Sequence, residues 1–193
     1  YGSYNVKLMS ISGFGCKDSI SKQVTVHSQP VVQFSLSDTA SCLYQNQFSF
    51  TNQSSNADGS TMNHTWLYSD GTTQSAVNSV KSFSNSGRYL VKLRTQSNFG
   101  CLDSAVRWVR VYPQPLPSFN LVQANQCLNN NAYEIQNATS IATEGGSLSY
   151  LWHLGDGSTS TNKSPKWSFV KADTYTVLMT VKSSFNCIDS LKK

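Results

Sequence analysis

A hexapeptide that returns twice constrains this chain more than any other feature. Phe14-Gly15-Cys16-Lys17-Asp18-Ser19 reappears as Phe99-Gly100-Cys101-Leu102-Asp103-Ser104 at an offset of 85, and as Phe185-Asn186-Cys187-Ile188-Asp189-Ser190 at a further offset of 86. Other residues keep the same register. Tyr4 maps to Tyr89 and Tyr175, Pro30 to Pro115, Phe34 to Phe119, Cys42 to Cys127, and Trp66-x-x-x-Asp70-Gly71 to Trp152-x-x-x-Asp156-Gly157. A period in this range marks a string of like domains, each with its own core.

The repeat divides the chain into 1–30, the C-terminal part of one repeat; 31–115, a complete repeat; and 116–193, a nearly complete one. The joints Val26-His27-Ser28-Gln29-Pro30 and Val111-Tyr112-Pro113-Gln114-Pro115 run directly from one repeat to the next, and their prolines favour extended, stiff backbone. Within the complete repeat, apolar residues alternate with polar ones, as in Tyr89–Arg94, and no window carries three turns of helical periodicity. The pattern predicts strands over 31–36, 47–52, 63–68, a short one after Asp70-Gly71, 80–83, 89–97 and 105–112. About seven short strands in such a block read as an antiparallel β-sandwich, so the expected class is all-β. Asp70-Gly71 and Asp156-Gly157 are hairpin turns, and Trp66 and Trp152 should anchor the two cores.

Five cysteines accompany the repeat. Cys42 and Cys101 stand 59 residues apart, Cys127 and Cys187 stand 60 apart, and the expected bonds are Cys42–Cys101 and Cys127–Cys187, one disulfide per domain. Cys16 then takes a partner upstream. A zinc site is disfavoured because no two cysteines have the short spacing of zinc motifs and His27, His64 and His153 do not repeat. Disulfides imply an oxidising compartment.

Trp152-His153-Leu154-Gly155-Asp156-Gly157-Ser158-Thr159-Ser160, Ser164-Pro165, Asp173-Thr174-Tyr175-Thr176-Val177-Leu178-Met179-Thr180-Val181 and Cys187-Ile188-Asp189-Ser190 together resemble the signature of PKD (polycystic kidney disease) domains. The second repeat departs from it where Tyr68-Ser69-Asp70-Gly71 replaces Phe-Gly-Asp-Gly. The resemblance implies tandem immunoglobulin-like sandwiches serving as extracellular spacers or ligand-binding modules. The Cys-x-Asp-Ser variant is similar to that of giant cell-surface proteins of Bacteroidota, gliding-motility adhesins of the SprB kind among them. Proteins of that kind leave the cell by type IX secretion.

No catalytic constellation stands out. The ten acidic residues fall mostly in turns, such as Asp58, Asp70 and Asp156, or in the repeated Cys-x-Asp-Ser, where Asp18, Asp103 and Asp189 are expected to cap backbone. The chain is therefore read as a non-enzyme without cofactor. Acidic turns such as those at Asp70 and Asp156 could gather calcium within a domain, but residues 26–34 and 111–119 contain no acid to hold it at a joint. A net charge of +5 is spread singly, which argues against nucleic acid, and no apolar run is long enough for a membrane span.

Binding residues are sought where repeats differ. Trp108 occupies the position of Gln23 and should face outward, so Trp108 with Arg110 and Arg107 could form an aromatic-basic patch. The plainer reading packs Trp108 against a neighbouring domain or strand edge. Ser19, Thr39, Ser104 and Ser190 follow aspartate and precede an apolar residue or alanine, resembling the O-glycosylation acceptor of Bacteroidota secreted proteins. Asn52, Asn63, Asn137 and Asn162 lie in Asn-x-Ser/Thr sequons. The expected function is a cell-surface stalk and adhesin segment that binds a glycan or protein weakly and in many copies, with neighbouring repeats as its other partners. The alternative is a carbohydrate- or protein-binding accessory module of a secreted hydrolase.

Overall fold

A computed structural model describes all residues, 1–193. The fold is all-β, without an α-helix and with one 3-10 turn at Thr143–Gly145. The chain forms two compact units: Tyr1–Ser37, Phe48–Lys81 and Tyr89–Val109 make one, and Asp38–Gln47, Ser82–Arg88 and Arg110–Lys193 the other.

The first unit begins with a hairpin of β1 (Gly2–Ile11) and β2 (Lys17–Val26), antiparallel from Gly2↔Val26 to Ile11↔Lys17. A three-stranded sheet follows from β3 (Phe34–Leu36), β5 (Phe48–Asn52) and β8 (Ser79–Lys81), in that order. The opposing strands run in the order β10 (Leu102–Tyr112), β9 (Gly87–Ser97), β6 (Met62–Tyr68), β7 (Thr73–Ser75). Alternation puts Phe34, Phe48, Phe50, Trp66, Val91 and Leu93 into the core. Phe34 meets the Trp66 ring edge-on at 5.0 Å, and the Trp66 indole N–H donates to Ala76 O at 3.1 Å, so the largest side chain is buried without an orphaned donor.

The second unit repeats the plan. β11 (Phe119–Leu121), β12 (Tyr133–Asn137) and β15 (Lys166–Trp167) form one sheet. β14 (Thr159–Ser160), β13 (Leu148–His153), β16 (Leu178–Ser183) and β17 (Ile188–Lys192) form the other. Trp152 is fully buried against Phe119, Ile135, Met179 and Val181, and its N–H donates to Asn162 O at 2.9 Å. Both tryptophans are thus the core anchors that the repeat implied.

One strand lies outside the sequence expectation. β4 (Ala40–Cys42) pairs in parallel with the end of β10, setting Ala40 against Arg110 and Cys42 against Tyr112. Three residues are too few to show a period. Two buried asparagines also escaped notice. Asn46 donates to Leu43 O and Phe83 O and accepts from Phe83 N, each at 2.8 Å, and Asn131 does the same with Leu128 and Phe169. In each case one side chain closes off backbone groups that no strand satisfies.

Candidate functional site

The repeated hexapeptide makes three hairpin tips of one design. Ser12 N donates to Cys16 O at 2.8 Å, Ser97 N to Cys101 O at 2.9 Å and Ser183 N to Cys187 O at 2.9 Å, and each serine hydroxyl accepts from its cysteine N–H at 3.1–3.2 Å. Gly15, Gly100 and Asn186 hold the tip with φ of 83°, 84° and 65°. Glycine occupies this left-handed region freely and asparagine tolerates it.

The joint residues dock on these tips. In the first unit the His27 ring stacks on Phe99 with centroids 3.4 Å apart, and the Gln29 amide donates to Leu102 O. In the second unit Tyr112 stacks on Phe185 at 3.9 Å and the Gln114 amide donates to Ile188 O. His27 and Gln29 are the counterparts of Tyr112 and Gln114 one repeat earlier. An acid from the same loop position also reaches each joint region, on His27 within the first joint and on Arg110 just before the second. Asp58 Oδ2 lies 3.3 Å from His27 Nδ1 and accepts Ser28 N at 3.0 Å, while its counterpart Glu144 lies 2.6 Å from Arg110 Nη2. The joint sequences contain no acid, and one arrives from a distant loop in both cases. The backbone N–H of Ser28, followed by the hydroxyl and backbone N–H of Ser60, holds the Asp58 carboxyl well below the usual carboxylate range.

The disulfide corrects the expected pairing. Cys42 is bonded to Cys187, 145 residues away, with Cα atoms 5.4 Å apart; the expected Cys42–Cys101 and Cys127–Cys187 bonds do not form, and Cys16, Cys101 and Cys127 are thiols. The reason is the parallel pairing of β4. Cys42 stands opposite Tyr112, the last residue of β10, whereas Cys101 immediately precedes its first residue. At about 3.3 Å per residue over eleven residues the two lie roughly 35 Å apart, far beyond the reach of a disulfide. Tyr112 instead brings Cys42 to the Phe185-Asn186-Cys187 tip on which it stacks. The bond therefore joins the block 31–115 to the block 116–193, where a bond inside each block was expected.

The proposed binding residues divide between two strand faces. Trp108 is 46% exposed, and Arg110, two residues on, shares its face, with its guanidinium over the Tyr112 ring at 5.4 Å and paired with Glu144. Arg107 turns to the opposite face, 5.8 Å above the Phe34 ring. Ser19, Thr39, Ser104 and Ser190 are all exposed. Asp18 and Asp189 accept the backbone N–H of the following serine at 2.7 Å, whereas Asp103 accepts from Val32 N at 3.3 Å. Asp70 and Asp156 accept the backbone N–H two residues on, at 3.0 and 2.8 Å, next to Gly71 and Gly157 at φ of 87° and 93°. The Asp70 and Asp156 contacts hold down turns, whereas Asp18, Asp103 and Asp189 stand near the start of strands. No three His, Cys, Asp or Glu side chains gather to hold a metal ion, and no helix is long and apolar enough to cross a membrane.

A groove of about 220 Å³ in the second unit, lined by Leu121, Ala124, Gln126, Tyr133, Trp167 and Tyr175 among others, has no sequence signal behind it. The Trp167 indole N–H beside it is buried without a hydrogen-bond partner.

Among curated proteins, a pre-pro-metalloprotease PrtV of Vibrio cholerae is 49% identical over 43 residues, a stretch that is 22% of this chain and 5% of the relative. The chain thus spans a small part of the curated relative that it matches. Solved structures similar to it include the PKD1 domain of the same metalloprotease, 33% identical over 42% of this chain and 91% of that one, TM-score 0.36. The PKD1 domain of Vibrio anguillarum Epp is 23% identical over 45% and 96%, TM-score 0.39. The family model for the PKD domain matches residues 27–111 and again 114–193, so that the two successive matches take in most of the sequence and the chain belongs to the PKD domain family.

Proposed function

We propose that the chain is a segment of an extracellular stalk whose repeats, cut near residues 30 and 115, are strung by clamped joints and adhere weakly, many copies at once. PKD domains are non-catalytic modules that occur in surface and secreted proteins. What supports a stalk is that the joint is built twice from one set of parts: an aromatic stack, a glutamine on a hairpin carbonyl and an acid from a loop further along the chain. A chain that spends side chains on its joints resists bending there. Weak adhesion becomes firm when sites are multiplied on one array. Trp108 with Arg110 is the contact point we assign, for a glycan or protein ligand. Attachment to the cell surface, type IX export, a part in gliding and O-glycans on Ser19, Thr39, Ser104 and Ser190 belong to the same proposal.

Beads carrying the chain at high density should adhere to glycan- or protein-coated surfaces where the monomer does not, and Trp108→Ala should cut retention about tenfold. Equal retention by the variant would remove the contact point, and equally tight binding of the monomer would remove the multivalent reading. The match to a pre-pro-metalloprotease supports a second reading, an accessory module of a secreted hydrolase. A catalytic domain encoded in the same polypeptide would favour it.

A further inference from the structure

We propose that Cys101 and Cys127 are the two halves of further staples of the Cys42–Cys187 kind: Cys101 takes a cysteine placed as Cys42 is, Cys127 takes one placed as Cys187 is, and the partner of each is another PKD repeat. The array so described is cross-linked from every repeat to the next, and no repeat holds a bond within itself. This goes beyond the adhesive reading and does not depend on it.

Three observations carry the inference. Cys101 sits in the same tip as Cys187, with the same Ser–Cys backbone bond and the same serine hydroxyl beneath it. The residues that deliver Cys42 to Cys187 have counterparts at the first joint: His27 lies on Phe99 as Tyr112 lies on Phe185, and Gln29 reaches Leu102 as Gln114 reaches Ile188. The aromatic stack, the glutamine contact and the hairpin tip that flank the bonded pair at one joint are thus present at the other, and Cys101 is a thiol there.

Cys127 shows the complementary half. In block 31–115 the segment Ala40–Cys42 is covered by the end of β10, whose Val109 and Val111 are 1% exposed. The counterpart of Ala40–Cys42 is Asn125–Cys127, and the residues that would stand opposite it as Arg110–Tyr112 stand opposite Ala40–Cys42 fall in register at 196–198, past Lys193. A continuation of β17 would pair there in parallel, as the end of β10 pairs with Ala40–Cys42, and would lead to the tip of a following repeat, where a cysteine stands as Cys187 does.

Each staple forms by thiol–disulfide exchange. Two thiols give up two protons and two electrons to a disulfide oxidant such as oxidised glutathione, which leaves as two thiols, and one S–S bond joins the repeats. A tip cysteine and a loop cysteine of one repeat cannot serve one another, because, like Cys42 and Cys101, they lie at opposite ends of the strand between them.

The test is a chain in which residues 31–115 occur twice in succession, refolded in a glutathione redox buffer, alkylated and mapped without reduction. Asp38→Glu marks the first copy and Ser104→Thr the second; both positions are exposed. The expected bonds run from the marked Cys42 of the first copy to the marked Cys101 of the second, and from Cys42 of the second copy to Cys187. Cys101 of the first copy and Cys127 should be alkylated. A Cys42–Cys101 bond within either copy, or free thiols at the new joint, overturns the proposal. If the lengthened chain does not fold, the 193-residue chain decides: Cys42–Cys187 bonded with Cys101 and Cys127 alkylated supports the rule, and any Cys42–Cys101 or Cys127–Cys187 bond overturns it.

Discussion

The ring of Tyr112 lies flat on that of Phe185, with centroids 3.9 Å apart and planes 7° apart, directly beside the bond from Cys42 to Cys187. Stacked aromatic pairs are worth about 0.5–1.5 kcal/mol beyond their buried area. Tyr112→Ala removes this contact and the area with it, so about 1–2 kcal/mol of local docking should disappear. The disulfide then becomes more accessible, and its reduction by dithiothreitol should accelerate about fivefold or more. His27→Ala, which empties the other joint, should leave that rate unchanged; equal acceleration by both variants would mean that the stack does not guard the bond.

Asp58 provides a pH-dependent contribution whose sign follows from its partners. The carboxylate accepts N–H groups from Ser28 and Ser60, and its pKa is therefore lower folded than unfolded. Stability from such a group is fully present above the unfolded carboxylate value of about 3.9 and is lost as the pH falls through the folded value. Asp58→Asn should lower the thermal midpoint at pH 7, and the gap to the parent should close as the pH is taken from about 5 towards 2. A gap that stays constant over that range contradicts the assignment.

Asn131 closes three backbone bonds on Leu128 and Phe169 from a buried position. Asn131→Leu keeps the volume and orphans those groups. Each buried unsatisfied group costs about 1–3 kcal/mol, so urea denaturation should show a loss of about 3 kcal/mol or more. Asn46→Leu should behave alike, because its three bonds are the same.

Gly155 and Gly157 flank one turn and should respond differently to alanine. Both have positive φ, 88° and 93°, but a Cβ at Gly155 would stand 2.7 Å from Thr176 O, whereas one at Gly157 would meet nothing within 4 Å. Gly157→Ala therefore carries only the left-handed backbone cost of about 1–2 kcal/mol. Gly155→Ala adds a backbone clash and should be clearly worse in the same melting experiment; equal losses would place the strain in φ alone.

Much of this was legible beforehand because identical residues recur at a fixed period. The tryptophans, the Asp-Gly turns and the strands ending at Tyr68, Ser97 and Tyr112 follow from alternation and register, which are local properties. The partner of Cys42 is not local. Separations of 59 and 60 residues fit a bond inside each repeat equally well, and the choice rests on β4, three residues long and parallel. The signal that could have decided it was present: an aromatic at 27 and 112 and glutamine at 29 and 114 recur where a joint needs only spacing. Arg107 was misjudged for a related reason, since alternation assigns it to the face opposite Trp108 and the two belong to different patches.

The bond between Cys42 and Cys187 also decides what happens when the chain is pulled from its ends. Tension passes through the two sulfur atoms and never reaches the backbone from Leu43 to Asn186, so both buried tryptophans sit inside a loop that stays slack. Only the residues outside that loop can lengthen. A reductant that cuts the sulfur link puts the enclosed residues under load as well.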